Sequence, residues 1–243
     1  LIRWRIHQKF RLQLERSEKE KQLANLQHKT AELQMQALRA QMSPHFIFNS
    51  LNSINMFILE NNKLEASEHL SKFSRLVRMI LQHSQEAFIP LEKELEALRL
   101  YLELESLRFE QRFEYKISVH NEVDTTMVKV PPLIIQPYVE NAILHGLRHR
   151  HDEKGELMLS IKMMGDRIIA VIEDNGIGRE RAAVINSRRA SYKQSLGTEL
   201  SKRRLESRAG KAGRDISIET IDKITNGKPE GTKVTIIFSA VKE

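Results

Sequence analysis

A helix-forming segment without any glycine or proline opens the chain, from about residue 7 to residue 41. Glutamate, lysine, glutamine, leucine and alanine dominate it, and these are strong helix formers. One continuous helix there would be on the order of 50 Å long, which suits a connecting rod better than an isolated globular helix. Polar residues interrupt its heptad pattern, so the segment predicts a weakly specified parallel coiled coil that links an upstream input to a downstream output. Its apolar positions are Leu12, Leu23, Leu26, Leu33, Ala37 and Ala40.

Two shorter amphipathic patterns follow Pro44, which interrupts the helical pattern. The turn signal Asn61–Asn62 separates them, so the pair predicts a helical hairpin. Hairpins from two chains would cover four apolar stripes by forming a four-helix bundle. We therefore predict a helical segment over residues 1–41 and a dimeric helical domain over residues 42–90. The two stripes are Ile47, Leu51, Ile54 and Ile58, and then Leu70, Phe73, Val77, Ile80 and Leu81.

Beyond residue 90 the pattern changes from all-helical to mixed. A helix is expected from Leu91 to about Arg112, and further helices over 132–147 and 197–209. Alternating or continuous apolar residues predict five strands, of which 167–173 is apolar enough to be buried on both faces. The others are 115–119, 157–163, 216–220 and 234–238. The fold class is thus mainly α and then α+β, ending in an α/β sandwich over residues 91–243 with helices on one face of a mixed sheet.

Composition limits the chemistry and the location. Cysteine is absent, which excludes disulfides and thiolate chemistry and suits a reducing cytoplasm. No apolar run approaches the ~18 to 20 residues that span a bilayer. Trp4 lies between Arg3 and Arg5, as on the cytoplasmic flank of a membrane helix or at an ordinary amphipathic helix start. We expect the cytoplasmic portion of a membrane protein, with its transmembrane segment upstream.

The net charge of +7 is concentrated in one segment. Residues 176–214 hold eleven basic residues against three acidic ones. They form either a solvated surface loop or a set of cations that face a polyphosphate. Tyr192 is the one aromatic residue in this segment and no reading motif accompanies it, so a nucleic-acid partner is not expected.

Four motifs, in this order, resemble those of the LytS/YehU-like sensor histidine kinases, which carry a Bergerat-type ATP-binding domain. Residues 41–54 (QMSPHFIFNSLNSI) resemble the phosphoacceptor motif, and residues 100–109 (LYLELESLRF) match a stretch typical of the group. Residues 130–146 (VPPLIIQPYVENAILHG) resemble the asparagine box, and residues 173–178 (EDNGIG) the first glycine box. The resemblance runs from about residue 37 to residue 240.

The resemblance implies that residues 1–41 are a signalling helix, that residues 42–90 are a histidine phosphotransfer domain and that His45 is the phosphoacceptor. An imidazole is a competent nucleophile near neutral pH, because its reference pKa of about 6.5 leaves much of it unprotonated. Many histidine kinases place an acidic residue after this histidine, but Phe46 follows here, so the general base is unidentified. Asn49, one helical turn on, either orients His45 or is a surface amide.

In the asparagine box the resemblance assigns Asn141 to Mg²⁺, which needs one neutral side-chain oxygen when phosphates and waters supply the rest. His145 is expected near the phosphates. Glu140 either acts through water or pairs with a basic neighbour.

The resemblance assigns the remaining nucleotide contacts to the three glycine-containing boxes. Asp174 would accept a hydrogen bond from the adenine amine, which guanine lacks, while Gly176 and Gly178 let the backbone approach the ligand. Gly197 and Thr198 open a second glycine box, in which Glu199 stands where the family usually has its second glycine. Gly231 and Thr232 resemble the final box, whose threonine reaches adenine through water.

The resemblance thus implies a homodimeric kinase that forms the cytoplasmic portion of an inner-membrane sensor. It would bind ATP and Mg²⁺, autophosphorylate His45 and transfer the phosphoryl group to an aspartate of a response regulator receiver domain. A nucleotide-binding pseudokinase or phosphatase that regulates a partner is the alternative. A coiled-coil nucleic-acid-binding adaptor is a third, favoured only by net charge.

Overall fold

The computed structural model describes residues 44–109, 111–150, 153–188, 216–225 and 228–240, together with Lys19. The chain divides into two compact units, residues 1–47 and 48–243. The predicted coiled coil, apart from Lys19, lies outside the described residues, as does the helix predicted over 197–209.

Two helices separated by a tight turn confirm the predicted helical segments after Pro44. Helix α1 spans Pro44–Leu59 and helix α2 spans Lys63–His83. Asn61 adopts a left-handed backbone with φ of 59°, and the side chain of Asn62 accepts the amide of Glu65 at the start of α2. Asparagine is favoured in both roles, because it tolerates positive φ and caps helices.

The apolar stripe predicted for α1 and α2 is only partly buried in the single chain. Ile54 and Ile80 are buried, whereas Leu51, Ile58 and Leu70 are exposed. A different face of α2 packs on the next helix, α3 (Leu91–Arg108). The buried residues of α2 include five that the pattern did not single out, two of them histidines: Ala66, His69, Leu76, Met79 and His83.

Helix α3 ends at Arg108, four residues before the predicted end. Short strands flank its start, because β1 (Ile89–Pro90) pairs antiparallel with β3 (Lys129–Val130). The amide of Leu91 donates to the carbonyl of Val128 at 2.8 Å. The first turn of α3 is thereby fixed to the segment that precedes residues 131–146.

A five-stranded mixed sheet forms the rest of the described fold, in the order β2-β4-β5-β7-β6. β2 and β4 run parallel, and all other neighbours are antiparallel. The five predicted strands are confirmed, with the last two longer than expected. The strands are β2 (Phe113–Val119), β4 (Gly155–Met164), β5 (Arg167–Asp174), β6 (Ser217–Thr225) and β7 (Lys228–Ser239).

One face of this sheet forms the core. Along β4 the buried residues alternate with more exposed ones, as expected for a sheet covered on one side. On β5, Ile168, Ala170, Ile172 and Asp174 are buried on one face, while Val171 and Glu173 on the other are partly exposed. The expectation that β5 is buried on both faces is therefore only partly met.

The helix predicted over 132–147 is divided into three parts. Helix α4 spans Gln136–Asn141, a π-helical turn spans Ala142–Gly146 and a 3₁₀ turn spans Leu147–His149. The π-helical turn contacts β5 and β7. Helix α5 (Arg179–Arg188), which was not predicted, follows β5. The π-helical turn, which precedes β5 in the chain, thus contacts both β5 and helix α5, which follows it.

Candidate functional site

A buried carboxylate lies at the carboxyl end of β5. Asp174 is 3% exposed, and each of its two oxygens has a donor. The amide of Gly176 donates to Oδ1 at 2.8 Å, and the hydroxyl of Thr232 donates to Oδ2 at 2.6 Å. Burial raises the pKa of Asp174, and these two hydrogen bonds oppose that shift. The group is a fixed acceptor inside the protein.

Backbone segments from three parts of the sequence pack against this carboxylate. A Cβ on Gly146 would lie 2.8 Å from Asp174 Oδ1, and one on Gly176 would collide with the backbone of Gly146. Gly231 has φ of +111°, and a Cβ there would collide with the carbonyl of Asp174. Only glycine fits such contacts. The structure therefore brings together the last residue of the asparagine box, the first glycine box and the final box.

The side chains of Asn175 and Arg150 form hydrogen bonds at the turn after Asp174, and sequence analysis assigned no role to either residue. The Asn175 side chain accepts the amide of Glu156 at 2.7 Å and donates to the carbonyl of Lys154 at 3.3 Å. The Arg150 guanidinium donates to the carbonyl of Asn175. Asn175 thus anchors the turn to the start of β4. The signal that could have identified Asn175 from the sequence is its position directly after Asp174.

Asn141 is the last residue of α4 and is partly exposed. The π-helical turn begins at the next residue and carries the chain to Gly146 beside Asp174. Single π turns inside helices often occur at functional sites. Asn141 therefore lies on the element that leads directly to the buried carboxylate.

Glu140 and His145 flank Asn141 on the same stretch. The Gln136 amide donates to Glu140 at 3.0 Å, so the partner found for Glu140 is a neutral amide. Burial raises the pKa of Glu140 to about 7, and the nearby Glu105 adds to this. Burial also lowers the pKa of the partly exposed His145, with a contribution from Arg148. Glu140 can therefore change charge near neutral pH, whereas the lowered pKa of His145 favours its neutral form.

His45 is exposed in the first turn of α1. Proline is favoured at the first position of a helix, since the amide it lacks has no partner there, so Pro44 opens this helix instead of kinking it. Asn49 is partly exposed one turn further on, and its carbonyl accepts the hydroxyl of Ser53 at 3.1 Å. These two residues are accessible on one helix.

The other predicted site residues are only partly described. Gly178 is buried, with φ of +75°. Gly197, Thr198 and Glu199 lie outside the described residues, together with most of the basic segment. Among the residues that the structure does describe, no helix is both long and apolar enough to cross a bilayer.

Comparisons with known proteins give the class. The family model described as Histidine kinase matches residues 33–113. Over 169 residues the chain is 38% identical to the sensor histidine kinase/phosphatase LytS of Staphylococcus aureus strain MRSA252. The match covers 70% of this chain and 28% of LytS, so the chain spans little more than a quarter of that relative.

Solved structures with partial likeness include the mycobacterial sensor histidine kinase MprB, at 16% identity and a TM-score of 0.38, covering 63% of this chain and 93% of that one. Another is the histidine kinase ThkA in complex with the response regulator protein TrrA, at 16% identity and a TM-score of 0.41, covering 91% and 64% of the two chains.

The family match and the identity to LytS establish that the chain belongs to the histidine kinase family. Within that family, it resembles the LytS sensor kinases.

Proposed function

We propose that this chain binds Mg²⁺ and ATP beside Asp174, autophosphorylates His45 and passes the phosphoryl group to an aspartate of a response regulator. The observation that carries the proposal is the buried Asp174 carboxylate, oriented by Gly176 and Thr232 where three sequence boxes converge. Family membership supports the reaction class.

Asp174 suits recognition of adenine. Its carboxylate is an acceptor held in place on both oxygens, and an adenine amine is a donor of matching polarity. Guanine presents a carbonyl at that position, and two buried acceptors that face each other lose hydrogen bonds without replacement. Thr232 already donates directly to Asp174, so its hydroxyl is well placed to share the recognition.

The asparagine box suits a Mg²⁺ ion that binds as a complex with the nucleotide. Asn141 offers one neutral oxygen on a partly exposed position, and Mg²⁺ retains phosphate and water ligands for most of its shell. When bound, the ion would neutralise charge on the phosphates. The basic residues among 176–214 would add to that neutralisation.

His45 would supply the nucleophile. Its exposure on α1 lets an imidazole nitrogen reach a phosphorus atom without unfolding the helix. A P–N bond forms as the bond to the departing ADP breaks. Asn49, one turn further along, is the candidate to orient the ring.

The partners follow from the same proposal. Leu51, Ile58 and Leu70 are exposed on α1 and α2, and a second copy of the hairpin would cover them. A receiver domain would then accept the phosphoryl group from the exposed His45. The chain would be the cytoplasmic portion of a membrane sensor whose input reaches it through residues 1–41.

Incubation with radiolabelled ATP and Mg²⁺ tests the proposal. The protein should acquire label that acid releases and alkali does not, as expected for phosphohistidine. His45→Gln should abolish labelling and leave the affinity for ATP nearly unchanged. His120→Gln removes another exposed histidine and should label normally. Label that persists in His45→Gln would refute the assignment.

The relative's name favours a second activity, because LytS is described as both kinase and phosphatase. A regulator of this second kind would bind ATP without retaining label and would remove phosphate from a receiver domain. The labelling experiment separates the two, since it measures bound nucleotide and covalent label independently.

A further inference from the structure

A second buried carboxylate lies outside the site described above and contacts the asparagine box. Glu94, in the first turn of α3, is 1% exposed. It accepts the amide of Leu133 at 2.9 Å and the amide of Ile135 at 3.3 Å. These amides lie about 40 positions further along the chain, immediately before α4.

The segment 133–135, whose amides donate to Glu94, has an uncommon backbone conformation and no side-chain cap. Leu133 has φ of 60°, a conformation that is uncommon for residues other than glycine and asparagine and persists only when its surroundings enforce it. Ile135 is the N-cap residue of α4 and has no side-chain capping bond. Helices begin with unpaired amides that need acceptors. Glu94 supplies these acceptors from another helix.

A carboxylate is a costly group to bury for packing alone. Isolated charges are disfavoured in a low-dielectric interior, and burial accordingly raises the pKa of Glu94 to about 7 although three backbone amides oppose the shift. Leucine or glutamine would fill the space at lower cost. The hydrogen bonds to the 133–135 segment are what the carboxylate adds.

We propose that Glu94 is a positioning residue that sets the placement of Asn141 by fixing the start of the six-residue helix α4. The inference rests on the proposed function, because it gives Asn141 the role of holding Mg²⁺. The antiparallel pairing of β1 with β3 fixes residues 129–130, just before this segment, so Glu94 acts on a segment whose preceding residues are already anchored.

The test is nucleotide affinity measured with and without Mg²⁺, by titration with ADP and with a non-hydrolysable ATP analogue. Wild type should bind the analogue more tightly when Mg²⁺ is present. In Glu94→Gln, which keeps the shape but loses the charge and one acceptor oxygen, this Mg²⁺-dependent gain should fall by about 5- to 10-fold. Affinity without Mg²⁺ should change less than about twofold, because Asp174 is untouched. Glu94→Asp, which keeps the charge, should restore part of the gain.

Leu102→Ala is the matched control. Leu102 is buried two turns along the same helix, so its truncation lowers the melting temperature through a cavity and leaves the 133–135 amides paired. It should leave the Mg²⁺-dependent gain unchanged.

Three results would overturn the inference: equal losses with and without Mg²⁺ in Glu94→Gln, an unchanged Mg²⁺-dependent gain in that variant, or the same change in Leu102→Ala. Wild type that binds Mg²⁺-nucleotide normally but never labels His45 would instead refute the proposed kinase reaction and leave the role of Glu94 intact.

Discussion

Burial and hydrogen bonding act in opposite directions on the ionisation of Asp174. Its carboxylate is buried, which disfavours the charged form, yet a backbone amide and a hydroxyl stabilise that form through hydrogen bonds. The result is an acceptor whose orientation is fixed before any ligand arrives. Preorganised polar groups of this kind bind with less loss of conformational freedom.

Asp174→Asn should weaken ATP binding by about 10- to 100-fold. The substitution replaces one acceptor oxygen with a donor, and a mismatched buried polar group costs ~1 to 3 kcal/mol. Calorimetric titration with ATP measures the change. The control is Glu173→Gln, at the adjacent position on the other face of β5, where the side chain pairs with Lys233 at 3.1 Å. Unchanged ATP affinity in a folded Asp174→Asn variant would place the adenine elsewhere.

At the scale of helices and strands, hydrophobic periodicity predicted most of the elements. The five strands follow alternating or continuous apolar residues, and α1 to α3 follow their helical spacing. The division of the 132–147 segment could not be read this way, because a π-helical turn has no distinctive local pattern. The turn ends at Gly146, which packs against the Asp174 segment, and that segment is distant in sequence. The role of Glu94 could not be predicted for the same reason, because the amides that donate to it lie about 40 residues further along the chain.

The buried face of α2 shows another limit of pattern reading. The predicted apolar stripe shares only Ile80 with it, and the buried residues include His69 and His83, which a count of hydrophobic residues omits. Neither ring nitrogen of His69 has a hydrogen-bond partner among the described residues. The ring lies 5.7 Å, centroid to centroid, from that of Phe57 on α1. His69 is therefore packed as a neutral, largely apolar group.

His69→Leu should make the fold less sensitive to acid. Burial, and then Lys72, lower the pKa of His69, while Glu68 opposes them. A histidine whose pKa is lowered by folding contributes its full stability above about pH 6.5, and loses it as the pH falls through the lower native value. The raised pKa values of Glu94 and Glu140 act in the opposite direction, with stability lost as the pH rises toward about 7.

The measurement is accordingly a difference between variants. Melting temperatures are recorded at pH 7.5 and at pH 5.5, and the acid-induced drop should be smaller in His69→Leu than in wild type. His120→Leu alters an exposed histidine and should match wild type. Equal drops in all three proteins would show that His69 is not protonated on unfolding in this range.

At the scale of the whole molecule, α1 and α2 expose apolar residues in a single chain. These residues bear on whether two chains associate. Leu51 is 47% exposed, Ile58 59% and Leu70 48%, and all three belong to the stripes that predicted a bundle. Clustered exposed apolar side chains on one surface favour association. In a homodimer these side chains would form the core between the two hairpins.

The double variant Leu51→Glu with Leu70→Glu should shift the protein from dimer to monomer, because charges in an apolar interface lose their hydration. Analytical ultracentrifugation over a concentration series measures the shift. Affinity for ATP should stay within about twofold of wild type, since Asp174 lies on the sheet. Replacement of the exposed Met164 at the end of β4 by glutamate is the control and should remain dimeric. A monomeric wild type would contradict the bundle.

The glycine contacts around Asp174 also bear on how such a protein tolerates change. At Gly146, Gly176 and Gly231, even one added methyl group meets another part of the chain. Alanine, the smallest replacement for glycine, is therefore already too large at these three positions, and every larger side chain is excluded as well. A survey of all single substitutions would thus find intolerance at positions that contribute no side chain to any ligand, and would trace the site through its backbone alone.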